Sequence, residues 1–129
     1  MMPTPPHLRV LIIDDETDMC WALQRIIELD GHCCDIAKSA SEALQILATE
    51  SFQLAFVDVK LPDMDGLELV RQLQRQSPTL ACIVVSGFYY ADDDPVQAAI
   101  QSGAIAGFIS KPFRLDQIQQ AMHSAMLLA

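Results

Sequence analysis

Five short strand-like segments, four of them apolar runs, are each followed by a stretch with helical spacing and organise this chain. Val10 to Ile13 ends at Asp14-Asp15, and Met19, Leu23, Ile26 and Ile27 then recur at helical intervals up to Asp30-Gly31, where glycine supplies a stop. Cys33 to Ala37 reads as a second strand, and Ser39-x-x-Glu42 is a capping box opening a helix through Leu44 and Leu47. Leu54 to Val57 is continuously apolar and ends at Asp58; a helix follows Pro62 with Leu67, Val70 and Leu73 on one face. Leu80 to Val85 ends at Ser86-Gly87, and Pro95 sits where a first helical turn tolerates it, ahead of Val96, Ala99 and Ile100. Ile105 to Ile109 ends near Lys111-Pro112, and Leu115, Ile118, Met122 and Met126 mark the last helix.

Strands that are apolar on both faces and alternate with amphipathic helices predict a parallel sheet covered on both sides. The fold class is α/β, a doubly wound five-stranded sheet. In such sheets ligands bind beyond the carboxyl ends of the strands, where the strand order reverses. The residues that end the strands therefore matter most.

With 129 residues the chain has room for one domain, expected over residues 8–129, behind a Pro-rich leader (residues 1–7) expected to be disordered. Seventeen Asp and Glu against eight Lys and Arg give a formal charge of −9, which disfavours direct contact with nucleic acid or an anionic membrane. No apolar run approaches the roughly 20 residues of a membrane helix, and the N-terminus carries no signal core, so a cytoplasmic protein is expected. Cys20, Cys33, Cys34 and Cys82 form no C-x-x-C pair and read as small buried hydrophobes.

Four strand ends bring together Asp14, Asp15, Asp58, Ser86 and Lys111. Carboxylates this close repel unless a cation neutralises them, and an all-oxygen donor set selects a hard ion such as magnesium. A carboxylate nucleophile beside a metal, a hydroxyl and a lysine is what phosphoryl transfer needs. Asp58 is the candidate attacker, because packing on both faces of its strand would fix it. Lys111 would place a point charge, and Ser86 a hydrogen bond, on phosphoryl oxygens.

The chain resembles the response regulator receiver domains of two-component signalling, through IIDDE at 12–16, DVKLPDMDG at 58–66, VVSG at 84–87 and FISKPF at 108–113. The resemblance runs from Leu8 to the end and implies the strand order 2-1-3-4-5. It implies that Asp58 is the phospho-acceptor, and that Asp15 and Asp58 ligate Mg2+ (or Mn2+ in its place) with the backbone carbonyl of Lys60, Asp14 acting largely through water. It makes Ser86 and Lys111 the phosphoryl-stabilising pair and Phe108 the switching aromatic. It further implies a sensor histidine kinase or histidine phosphotransfer protein upstream, a protein target or effector domain downstream, and room for a phosphorylation-dependent homodimer. Such a chain promotes only its own phosphorylation and dephosphorylation. Three features depart from the family pattern: a longer stretch after Gly87, a variable position at Lys60, and no hydroxyl at Phe108.

Other polar groups read more simply. Asp63 and Asp65 flank a turn and cap the helix before Leu67. Asp92-Asp93-Asp94 is a solvated run before a proline, and Lys111-Pro112 fits a tight or cis turn. His7, His32 and His123 have no ligand spacing, while Trp21, Tyr89 and Tyr90 are contact candidates, with partial burial an equal reading for Trp21. Two other classes compete. A haloacid-dehalogenase-like phosphohydrolase would want D-x-D at the first strand, where this chain has Glu16 two residues after Asp14. A flavodoxin-type module would need a phosphate loop where Asp14-Asp15-Glu16 would repel phosphate.

Overall fold

The computed structural model describes residues 7–128, so the disorder expected for residues 1–6 lies outside the described residues; His7 is exposed. Strands and helices alternate strictly along the chain: β1 (Arg9–Ile13), α1 (Thr17–Leu29), β2 (Cys33–Ala37), α2 (Ala40–Thr49), β3 (Leu54–Val57), α3 (Gly66–Gln76), β4 (Ala81–Ser86), α4 (Asp94–Gln101), β5 (Gly107–Ser110) and α5 (Leu115–Leu128). All strand pairs are parallel, in the order β2-β1-β3-β4-β5. The order reverses between β1 and β3, so the crevice at their carboxyl ends is the place for a site.

Alternation along the strands divides the core into two layers. Val10, Ile12, Leu54, Phe56, Val85 and Ile109 pack on α1 and α5 through Cys20, Leu23, Ile27, Ile118 and Met122. Leu11, Ile13, Ala55, Val57 and Val84 face α2, α3 and α4 through Ala40, Ala43, Leu69, Val70, Leu73, Val96 and Ala99. Burial on both faces explains why β1 from Val10 onward and β3 carry no polar residue until Asp14 and Asp58. Both aspartates extend the ladder, with the Asp14 N–H donating to Ala37 O at 3.0 Å and the Asp58 N–H to Ile13 O at 2.9 Å.

Several local expectations are corrected. Ile105 is buried but precedes β5: its N–H, like that of Ala104, donates to Ala99 O and closes the end of α4, so it is lost to the ladder. Leu80 likewise gives its N–H to Ser77 O, and β4 begins one residue later. Cys20 and Cys82 are buried as expected, whereas Cys33 is exposed and Cys34 half-buried, because β2 is an edge strand covered only in part. Ser39 caps α2 by accepting from the Glu42 N–H at 3.1 Å. Trp21 stands 61% exposed, with the Arg25 guanidinium 5.2 Å from its ring centroid. Despite the longer stretch before it, α4 forms with Pro95 in its first turn.

Candidate functional site

The loop from β3 to α3 shapes the site around Asp58. Lys60 and Asp65 form an isolated antiparallel bridge, the Gly66 N–H donates to Val59 O at 2.7 Å, and Asp65 caps α3 by accepting from the Leu67 N–H at 2.8 Å. Gly66 is required by close approach: a Cβ there would collide with the Asp58 carbonyl oxygen and stand 2.9 Å from its carbonyl carbon. Asp63 does not cap α3. Its two carboxylate oxygens accept from the N–H groups of Ser41 and Ala40, each at 2.9 Å, so it satisfies the start of α2 from a distance and ties the loop to that helix. Those two N–H groups hold its carboxyl below the ordinary range.

Asp14 and Asp58 are buried side by side, and carboxylate oxygens of Asp14, Glu16 and Asp58 all lie within 4.8 Å of one another. Asp15 is exposed and outside this trio. The Lys111 ammonium sits among the three, 3.1 Å from Asp14 Oδ2, 3.4 Å from Glu16 Oε1 and 3.6 Å from Asp58 Oδ1. Burial, then the neighbouring Asp14 charge, raises the Asp58 pKa, against the pull of Lys111 and the N–H groups of Val59 and Lys60. Burial works against the Lys111 charge, yet Asp14, Asp58 and Glu16 together raise its pKa. The Asp14 backbone is also held: its carbonyl accepts from the Cys20 thiol at 3.2 Å, and burial followed by the Asp14 charge pushes that thiol up to about 11, so it stays a protonated donor.

Lys111 follows β5, where its N–H donates to Ser86 O at 2.9 Å, and the Lys111-Pro112 peptide is cis. Ser86 is buried at the end of β4, its Oγ accepting from the Phe88 N–H at 2.9 Å. Phe108 pairs in register with Val84, which places it on the sheet face of Ser86; it is half-buried against the α2–α4 layer. A cleft of about 310 Å3 opens over Asp58, lined also by Glu16, Lys60, Ser86, Gly87, Phe88 and Lys111. Asp14, Asp58, Ser86 and Lys111 thus converge as the sequence predicts. Lys60 lies at the mouth and Phe108 behind.

Sequence reasoning passed over Glu16, Gly66 and Phe88. Glu16 extends an acidic run already noticed, and Gly66 closes a D-x-D-G turn, so both left a signal. Phe88 left none, since its place over the cleft depends on the path of a loop. The other polar readings resolve away from the cleft. His32 is buried and accepts the Leu8 N–H at Nδ1, 2.9 Å away, as a structural residue. Asp93 accepts from the Tyr90 N–H within its own loop. No helix among the described residues is long and apolar enough to cross a membrane.

Comparison with known proteins agrees with this geometry. The profile of the response regulator receiver domain matches residues 10–123. The chain is 37% identical over 116 residues to the C4-dicarboxylate transport transcriptional regulatory protein DctD of Rhizobium meliloti (strain 1021), a stretch that covers 90% of this chain and 25% of that regulator. The chain thus spans about a quarter of the length of the curated relatives it matches. A CheY-like response regulator receiver domain protein from Methanospirillum hungatei JF-1 superimposes with a TM-score of 0.85 at 28% identity, covering 95% of this chain and 97% of that one. The beryllofluoride-activated NtrC4 receiver domain dimer gives 0.84 at 27% identity, covering 94% and 98%. With its sheet order, its strand-end chemistry and nearly its whole length matched, this chain belongs to the response regulator receiver domain family of two-component signal transduction.

Proposed function

We propose that the chain is a phosphorylation-dependent switch in which Asp58 takes the phosphoryl group. What carries this reading is the placement of Asp58: a buried carboxylate at the floor of an open cleft, fixed by the β3 ladder and 3.6 Å from the Lys111 ammonium. An Asp58 Oδ would attack phosphorus of a phosphohistidine in line; the new O–P bond forms as the P–N bond breaks, and the imidazole leaves with the electron pair and takes a proton. Lys111 would shift its ion pair from Asp14 and Glu16 to a phosphoryl oxygen, and the Ser86 hydroxyl would donate to another.

The donor set suits a hard divalent cation, since every candidate ligand is oxygen and Asp14, Asp58 and Lys111 leave a net negative site. Magnesium would be held by Asp14, Asp15 and Asp58 with the Lys60 carbonyl, and would supply charge neutralisation to the transferring group. Glu16 is then the carboxylate that Lys111 draws beside them in the free protein.

The upstream partner is a histidine kinase or phosphotransfer protein, and the readout is a protein target or effector segment. Likeness to a receiver dimer supports a phosphorylation-dependent homodimer as one form of that readout. The chemistry would be self-modification, with no external substrate turned over; no observation favours the phosphohydrolase reading. The test is intact-mass spectrometry after acetyl phosphate with and without Mg2+. One phosphoryl group should appear in the wild type, only with the ion, and none in Asp58→Asn. Equal labelling of Asp58→Asn would refute the acceptor. Mg2+ affinity should drop in Asp15→Ala more than in Glu16→Ala; the reverse order would move the third ligand to Glu16.

A further inference from the structure

Lys60, at the mouth of the cleft, is held in an unusual way. Its ammonium lies 4.0 Å from the centroid of the Phe88 ring, and among the described residues no carboxylate pairs with it. Phe88 has a second hold, its N–H on Ser86 Oγ at 2.9 Å. Both holds end on groups that line the cleft over Asp58. Phe88 is 54% exposed and its ring meets Tyr89 edge-on, with centroids 4.8 Å apart, and Tyr89 packs on the same α2–α4 layer as Phe108. From Phe88 the backbone leads to Tyr90 and Asp93, which bond each other ahead of α4.

We propose that the Lys60–Phe88 contact is a latch holding the β4–α4 loop in the unphosphorylated protein, which a phosphoryl group on Asp58 releases by taking Lys60 for itself. The proposal rests on Asp58 being the acceptor. A cation over a half-exposed ring is held more weakly than one bonded to a phosphoryl oxygen, so a group bearing a charge of about −1.5 to −2 two residues from Lys60 wins the ammonium. The same group accepts the Ser86 O–H, while the Oγ lone pairs stay available to the Phe88 N–H, so the contact that is lost is the one to Lys60. The freed ring passes the change to Tyr89 and the start of α4. Loss of that contact makes the loop respond to an occupied cleft as a two-state element.

The experiment is NMR on the full chain, with Mg2+ and beryllofluoride as the phosphoryl mimic. In the free wild type the Lys60 ε-methylene protons should resonate upfield of those of Lys38, because they lie over the ring, and should lose that offset when the mimic is added. Phe88→Leu should abolish the offset without the mimic. Lys60→Gln should move the amides of Gly87 to Tyr90 part of the way toward their mimic-bound positions with no mimic present, whereas Lys60→Arg, which keeps a cation over the ring, should leave them in place. An offset that persists while the amides of Asp58, Ser86 and Lys111 shift would overturn the latch alone. So would a Lys60→Gln variant whose loop amides match the wild type in both conditions. If the amides of Asp58, Ser86 and Lys111 do not respond to the mimic in the wild type, the acceptor reading fails and the latch falls with it.

Discussion

β1 and β3 lie in the middle of the sheet, with residues 10–13 and 54–57 buried on both faces, whereas at the edge β5 has Gly107 and Phe108 half-buried and Ser110 exposed. The carboxylates Asp14 and Asp58 come off the first pair, and Lys111 comes off the second region. Ser86 stands between them: it is buried, but the loop that follows it exposes Phe88 and Tyr90. Dense packing leaves side chains few alternative positions, and sparse packing permits local rearrangement at low cost. The acidic half of the site is thus held ready, and the half bearing the hydroxyl, the lysine and the aromatic rings is free to answer it.

Truncation on the two sides should separate them most strongly. Ile12→Ala empties a fully buried position between β1 and α1/α5 and should cost about 2–5 kcal/mol in denaturant unfolding. Phe108→Ala, half-buried at the edge, should cost clearly less than the upper part of that range, yet it should blunt the chemical-shift response of α4 and α5 to the phosphoryl mimic. A Phe108→Ala protein that is as destabilised as Ile12→Ala and still responds fully would break the division.

Gly66→Ala should come next in size, about 1–3 kcal/mol, since the added Cβ must push back the Asp58 carbonyl. The shift lands on Asp58, the proposed acceptor, so acetyl phosphate labelling should fall with stability. Labelling that survives at the wild-type rate would mean that the β3–α3 loop positions Asp58 less tightly than its bonds indicate.

The smallest effect is electrostatic and depends on pH. Asp58 has its pKa raised from 3.8, first by burial and then by Asp14, so its ionised form is disfavoured in the folded protein. Near pH 3 both folded and unfolded chains are largely protonated there and nothing is lost. As pH rises past 3.8 the unfolded chain ionises first and the wild type loses stability, down to a plateau above the folded pKa. Asp58→Asn should therefore melt higher than the wild type at pH 7 without Mg2+, with the gap closing toward pH 3 and narrowing as Mg2+ is added. Lys111, with its pKa raised from 10.5, contributes in the opposite sense: its share is present below that value and is lost as pH climbs through the folded one. A pH-independent gap would show that Asp58 is not crowded as its surroundings suggest.

The inner strands and the residues that end them were legible because burial on two faces demands unbroken apolar runs, and the first polar residue after such a run is the one at the rim. Asp14, Asp58 and Ser86 follow from that rule, whereas Lys111 comes one residue after Ser110. The start of β5 did not follow from it either, since Ile105 is apolar for the core while its N–H serves the end of α4. Nor did the exposure of Cys33, which depends on β2 being at the edge, a property of strand order that no local pattern carries. The reach of Asp63 to α2, the inclusion of Glu16 and the contact of Lys60 with Phe88 all arise where separate loops meet. Local spacing records what a segment needs for its own folding and is silent on such meetings.

Hydrogen exchange, read residue by residue with and without Mg2+ and beryllofluoride, tests most directly the division between a fixed acidic half and a responsive remainder. Amides of residues 10–14 and 54–58 should exchange slowly and by nearly the same amount in both states, while those of residues 86–94 and 107–111 change their protection. Equal changes in both regions, or changes confined to β1 and β3, would contradict it.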